Sequence, residues 1–352
     1  MNFYKHQHEF YAGIDLHAKN FYACLIDNQG KKILHRNFKN QKPEQFFDQL
    51  APYRHNIVIG CESTFNWYWL ADLCCELQIP FVLGHAQYMK AILGGKAKND
   101  KIDSEKLAFL LRGGNFPLSY VYPKQRRATR DLMRRRSHYV RRRAEAMAHI
   151  RMVNNQYNLS DLEGSLDIKS NRQRLRDELK QRFEDPSAQM SVLIDLNTIV
   201  DLSTHIRQLE NYLKRHTKVE NPEDYFRCRS IPGIGSTLAM IMLYEIGDIG
   251  RFKTVGKFLS YARLVRGKHT SAGKNYGSSG HKIGNPHLKW AFSEAAALCK
   301  RCCVQARAFA TAIEKRHSKA RSFTLLSNKL GRAIYYMLKK QVAFDPKIFE
   351  LK

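Results

Sequence analysis

The stretch FYAGIDLHAKNFYACLID, Phe10 to Asp27, decides how the chain begins to fold. Two apolar and aromatic runs, FYAGID (Phe10 to Asp15) and NFYACLID (Asn20 to Asp27), flank the short connection His17-Ala18-Lys19, so they read as paired strands. Outward from them, Asn28-Gln29-Gly30 makes a turn that also takes Asp27, and KILHRNF (Lys32 to Phe38) follows as a third strand. A helix after Pro43 leads to the apolar strand NIVIGCE (Asn56 to Glu62). A helix over Phe65 to Leu77 then leads to a second buried strand, PFVLGH (Pro80 to His85). Ser104 to Arg112 closes the unit as a helix that stops at Gly113-Gly114. Three meandering strands followed by alternating helices and strands predict an α/β domain with a mixed sheet, over residues 1–123.

From Lys124 the character changes. QRRATRDLMRRRSHYVRRRAEAMAHIRMVNN is a long helix crowded with arginines, followed by a polar stretch from about Asn158 to Pro186. A second helix, from about Met190 to His216, carries Leu193, Leu196, Ile199, Leu202, Ile206, Leu209 and Leu213 at the spacing of a coiled-coil seam. Residues 124–225 therefore read as a helical, coiled-coil-like stalk able to pair with another subunit, or as a hairpin packed on its own domain. Residues 226–352 form a mainly helical last domain that opens with SIPGIGSTLAMIMLYEIGDIGRF and contains a Gly/Ser/Lys-rich stretch, Gly267 to Gly284.

The chain of 352 residues has 59 Lys+Arg against 32 Asp+Glu, a formal net charge of +27. Such an excess is self-repelling unless a polyanion offsets it, which points to nucleic acid. An anionic membrane would call for one basic amphipathic helix, whereas here the basic residues recur in several segments. No long apolar run and no signal-like start (MNFYKHQHEF) appear, so the expectation is a bacterial cytoplasmic, nucleoid-associated protein without a membrane partner. The eight cysteines lack paired CxxC spacing with companion histidines, which argues against zinc, and Cys299, Cys302 and Cys303 are expected to fill core in an apolar helix.

In a chain short of acids, the conspicuous ones stand at strand ends. Asp15 ends one buried strand and Glu62 another, while Asp100 and Asp103 share the turn KNDKID before a helix. Taken singly, Asp15 suits a turn, Asp103 a helix cap and Glu62 a lysine partner. Together they suit a divalent ion, because clustered carboxylates repel one another unless hard cations occupy the site. A two-metal arrangement would stabilise the attacking and leaving oxygens of phosphoryl transfer, with Mg²⁺ expected and Mn²⁺ an alternative.

The arginine helix offers a nucleic-acid surface through Arg126, Arg127, Arg130, Arg134, Arg135, Arg136, Arg141, Arg142 and Arg143. Adjacent triplets point around the helix, which suits RNA or two DNA segments. Gly233 and Gly235, in Pro232-Gly233-Ile234-Gly235 before a helix, resemble a helix-hairpin-helix turn whose free N–H groups hold phosphate.

At these residues the chain resembles a known family. GIDLHAKN, GCEST and KNDKIDSEKLA are similar to the RuvC-like (RNase H-like) domain of the DEDD transposases, the insertion-sequence one-hundred-and-ten family, with pilin-gene invertases alike. SIPGIGSTLAMIMLYEIGDIGRF and HTSAGKNYGSSGHKIGNPHLKWAFSEAA resemble that family's C-terminal transposase domain. The resemblance implies that Asp15, Glu62, Asp100 and Asp103 are the acidic quartet and that Ser271, in Thr270-Ser271-Ala272-Gly273-Lys274, is a covalent nucleophile. Ala272 stands where the family usually has glycine, which leaves Thr270, Ser278 and Ser279 as fallback positions, with Tyr276 a remoter one. Lys268 and Lys274 lie near enough in sequence to contact phosphate. A serine–phosphate link would conserve bond energy for rejoining. The resemblance further implies a composite acid–serine site, donor and target DNA as substrates, a structured guide (bridge) RNA, and a homodimer or homotetramer. The expected activity is therefore RNA-guided DNA recombination. A metal-dependent resolvase without a covalent step is the alternative, and a non-catalytic nucleic-acid scaffold is a third.

Overall fold

The computed structural model describes residues 2–92, 99–162, 164–220, 222–267, 270–275 and 283–350. The chain divides into two compact units, Met1–Lys124 and Gln125–Lys352.

In the first unit, β1 (Phe10–Leu16) lies at the centre of a five-stranded sheet. Its antiparallel neighbour β2 (Asn20–Asp27) pairs in turn with β3 (Lys32–Lys39), while β4 (Ile57–Glu62) and β5 (Phe81–Gly84) run parallel to β1 on the other side. The order β3-β2-β1-β4-β5 is the mixed sheet that the alternation of periods predicts. The turn between β2 and β3 closes as expected: Asp27 Oδ1 accepts hydrogen bonds from the Gln29 and Lys31 N–H groups, and Gly30 takes φ +86°.

Side chains alternate across each strand, so β1 feeds two cores. Ala12, Ile14 and Leu16 face Phe46 and Phe47 of α1 (Glu44–Gln49) and Leu70 of α2 (Tyr68–Glu76). The opposite face carries Tyr11, with Val58 and Val82, against Met89 of α3 (Ala86–Ile92) and Leu107, Ala108 and Leu111 of α4 (Asp100–Arg112). Gly13 is on this second face, where an added Cβ would stand 2.3 Å from both Ala108 N and Ser104 O. Only glycine lets the helix backbone lie directly on the strand.

Several boundaries differ from expectation. Helix α2 starts at Tyr68 rather than Phe65, and Phe65 is largely exposed. Helix α4 starts at Asp100 rather than Ser104, because the Asn99 side chain accepts from the Lys101 N–H and caps it. Asp100 and Asp103 therefore occupy the first helical turn instead of a turn before the helix.

The second unit is helical. Helix α5 (Lys124–Gln156) and α7 (Pro186–Glu220) are long, and the intervening polar stretch contains α6 (Arg172–Arg182). Leu175 and Leu179 of α6 pack with Ile150 and Val153 of α5 and with Val192, Leu196 and Ile199 of α7. Leu196 and Ile199 of the predicted α7 seam are thus packed within the chain, while Leu193, Leu202 and Leu209 are half-buried. Beyond it come α8 (Pro222–Arg229), α9 (Ser236–Ile246) and α10 (Val255–Tyr261). A two-residue-strand hairpin, β6 (Thr270–Ser271) and β7 (Lys274–Asn275), precedes α11 (Pro286–Cys302), α12 (Val304–Glu314) and α13 (Lys319–Lys340). Apolar α9 is buried along nearly its whole length by α11 and its neighbours. Cys299 and Cys303 join this core, but Cys302 faces solvent, contrary to the expectation that all three fill it. Among the described residues no helix is long and apolar enough to cross a membrane.

Candidate functional site

Strand register and the Gly13 contact bring Asp15 and Asp100 together, and set Glu62 and Asp103 at the same end of the sheet but outside the ion-sized group that those two form with His17. The pairing of β1 with β4 runs to Ile14 opposite Cys61, and Asp15 and Glu62 come one residue later on each strand. Asp15 lies two residues past Gly13, hence on the face covered by α4. Glu62 lies two past Gly60, whose Cα is covered by Leu111 of the same helix. The close seating of α4 then sets its first turn, with Asp100 and Asp103, at that end of the sheet.

The tightest part of the cluster includes a residue that sequence reasoning missed. His17 Nε2 stands 3.2 Å from Asp15 Oδ2 and 3.3 Å from Asp100 Oδ2, and one ligand atom from each of the three lies within 4.8 Å of the others. His17 follows Asp15 by two residues, so it emerges on the same side of the chain; an Asp-x-His spacing at a strand end was the available signal. Asp103 is paired with Lys106 at 3.7 Å, and Glu62 is half-buried at the end of β4. Burial pushes the Asp15 carboxyl above its ordinary 3.8; the His17 imidazole pulls it back, and the charges of Asp100 and Asp103 raise it further. Two carboxylate oxygens and an imidazole nitrogen at this separation, on a carboxyl that resists ionising alone, fit a divalent cation.

The arginines of α5 are largely turned to internal use. Glu245, on α9, is 1% exposed and accepts from Arg130 Nε at 3.0 Å and from Arg134 Nε at 2.6 Å. Asn285, which caps α11 through its Oδ1, donates its Nδ2 to the same carboxylate at 2.7 Å. Burial alone would push the Glu245 carboxyl up, but the hydrogen bond from Arg134 and the charges of both arginines outweigh it and hold it at about 2. Arg127 is buried, Arg126 donates to the Gly247 carbonyl, Arg136 pairs with Glu210, and Arg143 reaches Ser203 and Asp167. Arg135, Arg141 and Arg142 are exposed, with Arg142 also 3.2 Å from Glu145. Arginines face several directions here chiefly because they tie α5 into its own unit.

The glycine turn before α9 divides in the same way. Gly233, at φ +89°, would place a Cβ 2.7 Å from Cys299 N, so close packing on α11 demands it. Gly235 has open space around it and precedes the first residue of α9.

Ser271 pairs with Lys274 across the β6–β7 hairpin, whose turn residues Ala272 and Gly273 have φ +48° and +74°. Both central residues of such a turn prefer glycine or asparagine, so Ala272 is a strained choice there. Lys268, Tyr276, Ser278 and Ser279 lie outside the described residues.

Two sequence profiles match the chain. One, described as the transposase IS116/IS110/IS902 family, covers residues 227–311; the other, the DEDD transposase profile of IS110 elements, covers residues 12–158. The chain is 24% identical over 344 residues to the transposase for insertion sequence element IS1111A of Coxiella burnetii (strain RSA 493 / Nine Mile phase I), covering 94% of this chain and 90% of that protein. It is 23% identical over 278 residues to the transposase for insertion sequence element IS1328 of Yersinia enterocolitica, covering 79% and 80%.

Proposed function

We propose, from the premise that this chain belongs to the IS110 family of DEDD transposases, that its acidic cluster cuts DNA in an insertion-sequence transposition reaction. The observation that carries this reading is the convergence of Asp15 and Asp100 with His17 at the helix-covered end of the mixed five-stranded sheet. Asp15, Glu62, Asp100 and Asp103 would hold Mg²⁺ or Mn²⁺, with His17 as an added nitrogen donor. When bound, the cation supplies charge stabilisation to a phosphodiester under attack.

The finer reading gives the attack to Ser271. Its Oγ would form a bond to phosphorus while the P–O bond to the leaving deoxyribose hydroxyl breaks. The serine proton passes to a base or to water, and the leaving oxygen gains a proton. Reversal on a second DNA end restores the phosphodiester without ATP. Arg135, Arg141, Arg142, Gly235 and Lys274 would contact the backbones of donor DNA, target DNA and a structured guide RNA. A homodimer or homotetramer at the bacterial nucleoid would supply the symmetry that joining several ends needs.

A second reading keeps the acids and drops the serine, with water as nucleophile. It is favoured by the cation cluster, which assembles entirely from β1, its following residue and α4 in the first unit. A denaturing gel of the protein with element-end DNA, its transcript and Mg²⁺ separates the two. The serine reading expects a protein–DNA adduct that disappears in Ser271→Ala and in Asp15→Asn. An adduct that survives Ser271→Ala removes this nucleophile, and nicking without adduct selects water.

A further inference from the structure

The last helix carries a feature that the acidic cluster does not use. Between α13 and the segment 342–348 lies a cavity of about 590 Å³, within the range of roughly 300–1,000 Å³ common to small-ligand sites. Its lining is mostly apolar, with Leu325 and Phe344 in it, and carries the cations Lys329, Arg332 and Lys340. Lys329, Arg332, Tyr336 and Lys340 follow one another at three- and four-residue steps, so they form one stripe along the helix.

Each of these groups is differently placed. Tyr336 is 41% exposed, with Lys340 Nζ 5.6 Å from its ring centroid. Arg332 is exposed and makes no hydrogen bond or ion pair among the described residues. Lys329 is held deeper: it donates to the Ile348 carbonyl at 2.6 Å and stands 4.6 Å from the Phe309 ring centroid. The one carboxylate on the lining, Asp345, is committed to capping the Lys347 N–H at 2.9 Å. Among the described residues, three cations and a single carboxylate, Asp345, thus line an apolar hollow, which leaves its lining net positive.

We infer that this cavity is a nucleobase subsite, which takes one unstacked base of a single strand against Tyr336 and its flanking phosphates on Arg332 and Lys340. An apolar lining suits the base faces, an aromatic ring stacks on any base, and the cations suit the phosphates of a single strand. A second copy of this chain, at a formal net charge of +27, would add positive charge to an already positive lining. The inference rests on the nucleic-acid reading for the identity of its occupant, and it is independent of which residue cuts.

The experiment uses the full chain and a short oligothymidine carrying one 5-iodouracil, irradiated and mapped by peptide, with affinities measured in parallel. The expected cross-link falls on the peptide containing Tyr336 or Phe344. Tyr336→Ala, or an abasic position in place of the contacted base, should each weaken binding about 5- to 150-fold, and the two losses should not add. Arg332→Ala should weaken the intact and abasic oligonucleotides alike. Cross-links confined to other peptides, or losses that add in full, would overturn the subsite. So would Tyr336→Asp dissociating an oligomer in sedimentation while the cross-link pattern stays unchanged, since a second copy would then cover the cavity. Absence of any oligonucleotide binding by the intact chain would overturn the nucleic-acid reading together with it.

Discussion

The imidazole Nε2 of His17 lies 3.3 Å from Oδ2 of Asp100, which joins the end of β1 to the first residue of α4. The same nitrogen reaches Asp15. A nitrogen donor among carboxylates suits Mn²⁺ better than Mg²⁺, because Mg²⁺ takes oxygen ligands almost exclusively. We predict that the protein binds Mn²⁺ at least about tenfold more tightly than Mg²⁺, and that His17→Asn narrows this preference. Isothermal titration with each ion checks it; an unchanged ratio in His17→Asn would remove the imidazole from the donor set.

Asp15 gives a pH-dependent prediction. Its carboxyl is raised above 3.8 by burial first and by Asp100 and Asp103 after the relief from His17. A raised acid favours the folded state while protonated, below 3.8, and loses that contribution as pH rises through the folded pKa. Without divalent cation, Asp15→Asn should therefore melt higher than wild type at pH 7, with the two curves converging as pH falls toward 3.8. Saturating Mn²⁺ should reverse the order at pH 7. Melting temperatures across pH test both signs.

Glu245 behaves oppositely. Its carboxyl, held at about 2, stabilises the fold above 4.5, and that contribution is lost as pH falls toward 2. Glu245→Ala would leave Arg130 buried without its carboxylate, at a cost of about 3–5 kcal/mol. Urea unfolding of the variant should show that loss, together with reduced sensitivity to acid. A loss under about 1 kcal/mol would mean that water or another group satisfies the arginines.

Gly13 links packing to the site. Gly13→Ala sets a methyl 2.3 Å from the backbone of α4, and overpacking of this kind costs about 1–3 kcal/mol or more. Because α4 carries Asp100 and Asp103, the variant should also lose most of its thermal stabilisation by Mn²⁺, beyond what its lower starting stability explains. Retention of the full Mn²⁺ shift would separate helix seating from ion binding.

Much of the first unit was legible because strand period and strand-end acids are short-range signals. Asp15 and Glu62 closed two apolar runs, and the mixed sheet followed from three meandering strands before alternating helices and strands, whereas the order β3-β2-β1-β4-β5 is seen only in the fold. The start of α4 was not legible, since Asn99-Asp100-Lys101 shows no apolar period and only its cap marks the boundary. Helix α6 was hidden in the same way, with Leu175 and Leu179 the buried residues in an otherwise polar segment. The partners of the α5 arginines depend on tertiary packing. Glu245, a lone acid inside the apolar run of α9, was the one sequence hint that something cationic must meet it. The strain at Ala272 became visible only with its φ of +48°.

The most direct test of the account is ion binding at the acidic cluster, measured by titrating Mn²⁺ into wild type and into Asp15→Asn, Glu62→Gln, Asp100→Asn and Asp103→Asn, with folding checked by circular dichroism. Wild type should bind saturably, and Asp15→Asn and Asp100→Asn should bind at least about tenfold more weakly, with smaller losses for the other two. Wild-type binding that survives Asp15→Asn and Asp100→Asn unchanged would contradict it.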